Sequence, residues 1–152
     1  DEVLRDMRFL AIEKQLTLSA VIGKHLPLFR ADPDQFRQAL VNLVENAIKF
    51  TNPNGQIIIK VGLEKNHVFF AVHDTGIGIP AELQEHVFER FWRGGQRGQN
   101  GAEHITGTGL GLSLVKTIVE NHGGEIRLTS AIGIGTVFYV LIPAIMEAHP
   151  TP

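Results

Sequence analysis

Apolar positions along residues 2–15 recur at helical spacing, with Val3, Leu4, Met7, Leu10 and Ala11 separated by charges, and predict an amphipathic helix. Residues 16–21 alternate and read as a strand. A second periodic segment opens on Asp32-Pro33-Asp34-Gln35, with Asp at the N-cap, Pro at the first helical position and Gln placed for a capping box. This helix is predicted to run to about residue 50 and to stop before the turn cluster Asn52-Pro53-Asn54-Gly55. Residues 56–63 and 67–73 are alternating, β-branched and aromatic, and predict an antiparallel hairpin joined by Glu64-Lys65-Asn66. Residues 81–91 look helical. Residues 92–106 hold four glycines and no period, and predict a mobile loop. A helix over 110–121 is stopped by Gly123-Gly124, and 125–130 with 136–142 form a second hairpin. Pro143 ends the regular pattern, leaving a tail over 144–152 that is expected to fray. Strands and helices in this order predict an α+β fold: a two-layer α/β sandwich with a mixed, mostly antiparallel sheet and helices on one face.

Length and composition add limits. The 152 residues, 43% apolar and 20% charged, fit a single soluble domain spanning 1–152. There is no Cys, hence no disulfide or thiolate chemistry. A net charge of −2 supplies no basic field for nucleic acid. No apolar run approaches the roughly 20 residues of a membrane span, so no direct membrane contact is expected, and a cytoplasmic location is. The chain opens on Asp1 rather than Met and is expected to be a piece of a longer protein, with residues 1–10 ending a linker helix from upstream.

Candidate chemistry gathers in four motifs. On the helix ending near residue 50, Phe36, Leu40, Leu43, Ala47 and Phe50 fall on one stripe at 100° per residue, the expected core face. Asn42, Asn46 and Lys49 share a neighbouring stripe. Two amides and an ammonium beside an apolar face suit a phosphate and a hard metal such as Mg²⁺, although a solvated flank has the same pattern. Asp74 ends a strand and opens Gly76-Ile77-Gly78-Ile79; a carboxylate there can accept the exocyclic amine of adenine, or simply form a turn. Gly107-Thr108-Gly109-Leu110-Gly111-Leu112 precedes a helix, where free backbone N–H groups attract anions. Its spacing is neither that of a dinucleotide fingerprint nor that of a P-loop. Gly133-Ile134-Gly135-Thr136 reads alone as a hairpin turn. Phe88 and Phe91 are expected to anchor the base of the glycine-rich loop in the core, Arg93 to reach a terminal phosphate, and Arg90 to be a solvated charge. The seven His show no metal-ligand spacing.

Taken in order, these motifs resemble the N, G1, F, G2 and G3 boxes of the catalytic ATP-binding domain of bacterial sensor histidine kinases. That family shares its superfamily with gyrase, mismatch-repair and chaperone ATPases. The resemblance covers about residues 10–143. It implies a Bergerat-type ATP-binding fold, ATP and Mg²⁺ as cofactors, and residues 93–106 as an ATP lid. It further implies Asn46 as the Mg²⁺ ligand with Asn42 beside it, Lys49 and Arg93 on phosphate, Phe50 bordering the base and Asp74 binding adenine. Gly76, Gly78 and Ile79 would shape the base pocket. Gly107, Thr108, Gly109, Leu110, Gly111 and Leu112 would close on the phosphates, with Thr136 at the pocket floor.

Two departures sharpen the expectation. In hydrolysing relatives a Glu four residues before the metal-binding Asn activates water; that position here is Asn42, and Glu45 lies about 100° round the helix from Asn46. Transfer to an acceptor is therefore expected in place of hydrolysis. Only His73 precedes an acid, and it lies on a strand with Asp74 already assigned, so the acceptor is expected on an upstream His-containing dimerisation domain, with a response regulator receiving phosphate indirectly. An ATPase or nucleotide clamp of the same fold, and a nucleotide-responsive binding module without transfer, are the competing expectations.

Overall fold

The computed structural model describes residues 2–92 and 109–145. Its elements run α1 (Glu2–Glu13), β1 (Thr17–Ile22), α2 (Pro33–Phe50), β2 (Gln56–Glu64), β3 (His67–Asp74), α3 (Ala81–Gln84), α4 (Gly111–Asn121), β4 (Glu125–Ala131) and β5 (Gly135–Pro143). The five strands form one open sheet in the order β1-β2-β3-β5-β4. β1 and β2 are parallel because the chain crosses over through α2 between them, and every other pair is antiparallel.

Strand alternation sorts the sheet into two faces. Ile57 and Ile59, Val68, Phe70 and Val72, and Phe138, Val140 and Ile142 are buried on the helix side, against Val3, Met7 and Ala11 of α1 and Val115, Ile118 and Val119 of α4. The other face protects itself locally. Phe69 and Tyr139 stack with ring centroids 5.0 Å apart. Their cross-strand partners Leu141 and Ala71 are buried there with no covering helix among the described residues.

α2 is the central helix. Its buried face is wider than the predicted stripe, because Ala39, Val44 and Ile48 are covered along with Leu43 and Ala47. The reason is that α2 packs on the sheet between α1 and α4. Asp32 caps it as expected, its carboxylate accepting the N–H groups of Asp34 and Gln35 at 3.0 and 3.1 Å. The reciprocal half of the box differs. The Gln35 amide donates to the Asp32 carboxylate at 3.2 Å, and the Asp32 N–H donates to His122 Nε2 at 3.0 Å, from just beyond α4.

Three other expectations need correction. The helix over 81–91 shortens to α3, continued by turns closed by His86 N–H to Leu83 O and Glu89 N–H to His86 O. Phe88 does pack edge-on to Phe138, but Phe91 is 72% exposed. Its backbone is left-handed, at φ 62°, and its N–H donates to Gly109 O at 2.9 Å, which turns the ring outward. Ala144 and Ile145, expected to begin a frayed tail, are held by hydrogen bonds to Asn66 O and Leu28 O.

Candidate functional site

The C-terminal end of β3, the C-terminal half of α2 and the loop after β3 enclose a cavity of about 170 Å³. Of the residues singled out from the sequence, Asn46, Phe50, Asp74, Gly78, Ile79, Leu112 and Thr136 line it together. They come from four separate parts of the chain, and the sheet register explains part of the convergence: Asp74 on β3 pairs directly with Thr136 on β5.

Asp74 is the charged group of this wall and is 4% exposed. Burial pushes its carboxyl above the ordinary value, while backbone N–H groups of Gly76 and Thr136 and the nearby His73 pull it down less strongly. The Gly76 N–H donates to Asp74 Oδ1 at 2.8 Å. A Cβ on Gly76 would stand 2.5 Å from Phe50 O, and one on Gly78 (φ 74°) would stand 2.0 Å from Ala131 O. Both glycines are therefore needed for backbone to approach backbone, which packs the loop against α2 and the β4–β5 hairpin.

The loop is fastened by polar groups that sequence reasoning missed. Ser130 Oγ accepts the Ile79 N–H at 2.8 Å, donates to Gly135 O at 3.0 Å, and lies 2.8 Å from Thr136 Oγ1. Since its only proton goes to Gly135, Thr136 donates to it. Gln84 Nε2 donates to Ile79 O and Ser130 O at 2.9 and 3.1 Å. A signal for Ser130 was present: it follows Ile126 and Leu128 on the inward positions of β4, where a hydroxyl must find partners. Ile77, Pro80, Leu83, Val87, Trp92 and Phe138 supply the rest of the apolar lining.

The remaining candidates sit around this cavity. Asn42 is outside its lining: its amide donates to Gln38 O at 2.9 Å and its carbonyl faces Gly111, where a Cβ would stand 2.9 Å from Oδ1. Lys49 Nζ lies 5.1 Å from the centroid of the Phe50 ring. Gly109 is left-handed at φ 70° and Leu110 is 38% exposed at the start of α4. Arg93, Gly107, Thr108 and the expected lid over 93–106 lie outside the described residues.

A buried carboxylate at the end of an apolar slot, with an aromatic wall and an amide, suits a flat heteroaromatic base carrying an amine donor. The sequence pattern of the histidine kinase-, DNA gyrase B-, and HSP90-like ATPases matches residues 31–145. The circadian input-output histidine kinase CikA of Synechococcus elongatus is 44% identical over 86% of the chain. The adaptive-response sensory kinase SasA of Crocosphaera subtropica is 39% identical over 93% of it. The chain spans 17% of the first protein and 36% of the second. Among solved structures, the catalytic domain of histidine kinase ThkA superposes with a TM-score of 0.79 at 31% identity, covering 94% of this chain and 90% of that one. Full-length ShkA in complex with AMPPNP gives 0.82 at 28% identity, covering 99% of this chain and 30% of that one.

Proposed function

Because this chain belongs to the histidine kinase-, DNA gyrase B-, and HSP90-like ATPase family and is homologous to the catalytic ATP-binding domains of sensor histidine kinases, we propose that it holds ATP with Mg²⁺ and presents the γ-phosphate to a histidine on another domain. The observation that carries this reading is Asp74, a buried carboxylate opening onto a slot bordered by Phe50 and Asn46. Asp74 accepts the adenine amine, Phe50 and Ile79 border the base, and Thr136 forms the floor. Asn46 offers one amide oxygen. Among the described residues no group of three His, Cys, Asp or Glu is placed to hold a metal. One such oxygen fits Mg²⁺, which takes its other ligands from phosphate and water. The ion supplies charge neutralisation on the phosphates when bound. Lys49, Arg93 and the glycines from Gly107 to Gly111 attend the phosphates.

Transfer is favoured over hydrolysis by what Asn42 lacks. Its carboxamide has no basic site for a water proton, and its amide is already engaged with Gln38 O. Glu45 is exposed and points about 100° away from Asn46 round the helix. The acceptor belongs to a dimerisation domain upstream in the parent protein, and a response regulator takes the phosphate from it. Among the described residues no helix is long and apolar enough to cross a membrane. A cytoplasmic setting is proposed because ATP is the donor.

The test supplies ATP, Mg²⁺ and a separate acceptor hairpin. An acid-labile phosphoprotein is expected, with little free phosphate. Brisk phosphate release without a labelled acceptor refutes the proposal.

A further inference from the structure

Helix α2 ends with four carbonyls that lack partners within the helix, and each is satisfied from elsewhere. Ala47 O accepts the Thr51 N–H at 3.1 Å and Thr51 Oγ1 at 2.6 Å. Ile48 O and Lys49 O both accept from the Lys14 ammonium, at 2.7 and 2.6 Å. Phe50 O accepts the Ile77 N–H at 3.1 Å. The middle pair therefore depends on one side chain from 34 and 35 residues upstream. The last carbonyl depends on the loop that carries the Asp74 turn.

Lys14 is brought there by the corner between α1 and β1. The Lys14 N–H donates to Leu10 O and the Leu16 N–H to Ala11 O, while Gln15 turns through a left-handed φ of 59°. The same corner is laced to the turn after α2: Asn54 N–H donates to Gln15 O at 2.9 Å and Thr17 N–H to Gly55 O at 3.0 Å. Lys14 is half-buried, and its charge sits at the negative end of the helix, where a cation is held most favourably.

We infer that Lys14 is a positioning residue for nucleotide binding, acting through the last turn of α2. By holding the carbonyls of Ile48 and Lys49 it fixes the Phe50 ring in the pocket wall. Through the Phe50 O to Ile77 N–H bond it also sets the height of the loop after Asp74. Lys14 itself is not part of the cavity lining, so it acts without touching the ligand. The inference rests on the cavity being the nucleotide site.

Calorimetry with ATP and Mg²⁺, and urea unfolding, on the wild-type chain, Lys14→Met and Lys14→Arg test it. Lys14→Met is expected to bind roughly fivefold more weakly, with the Ile77 amide exchanging faster than core amides such as Val72. Lys14→Arg, which keeps a cation and several donors, is expected to restore binding to within about twofold. Wild-type affinity in a folded Lys14→Met overturns the inference and leaves the nucleotide reading standing. So does Lys14→Arg losing as much affinity as Lys14→Met. A wild-type chain that binds no adenine nucleotide sinks both. If Lys14→Met does not fold, ¹⁵N spectra of the wild-type Lys14 ammonium decide the matter: a shift on adding ATP is expected, and an unmoved signal overturns the inference.

Discussion

Ionising Asp74 costs the free protein stability that its two backbone donors return only in part. With its folded-state pKa above the ordinary 3.8, the protonated form favours the fold. That contribution is complete below the ordinary value and is lost as pH rises through the folded one. Asp74→Asn is therefore expected to gain stability relative to wild type as pH rises from the ordinary carboxylate value through the folded-state one, in urea unfolding without nucleotide. A difference that stays flat over this range removes burial as the dominant cause. The same substitution presents an amide to the adenine amine, and calorimetry should show at least a roughly tenfold loss of ATP affinity, the scale of one hydrogen bond to a charged group. Ser130→Ala belongs beside it. Three groups lose their partner, and a destabilisation of about 1–3 kcal/mol with weaker ATP binding is expected. A fully stable variant would show that water replaces the hydroxyl.

At the scale of elements, α2 separates stability from binding along its own axis. Its cap at Asp32 lies about 27 Å from Phe50 at 1.5 Å per residue. Asp32→Ala is expected to lower unfolding free energy by about 1 kcal/mol while ATP affinity stays within about twofold. A parallel fall in affinity would mean that the helix moves as one lever. The contrast also explains what was legible beforehand. The cap at Asp32 and the Gly76 N–H bond to the Asp74 carboxylate are local chemistry, complete within a few residues, and the sequence displays them directly. Ser130 and Gln84 act only once β4 lies beside the loop, 51 and 46 residues away from their partners, and no local pattern records that register. Phe91 misled because aromatic character suggests burial, whereas its left-handed backbone decides where the ring points. The width of the α2 core face was hidden for a similar reason: it depends on how many helices flank it.

For the whole molecule, binding and folding are one equilibrium. Saturation at about 100 times the dissociation constant adds about 2.7 kcal/mol, and for a domain of this size each kcal/mol raises the melting temperature by roughly 2–4 °C. An upward shift of about 5–11 °C with ATP and Mg²⁺ is expected in a thermal scan, and an unchanged midpoint would count against any tight nucleotide site. The Phe91 N–H to Gly109 O bond has a consequence of another kind. It brings residues 91 and 109 together on the frame itself, and a Cβ on Gly109 would stand 2.8 Å from the Phe91 carbonyl carbon. Gly109→Ala would therefore force these two backbones apart, so the start of α4 is tied to residue 91 by backbone alone and not by any side chain.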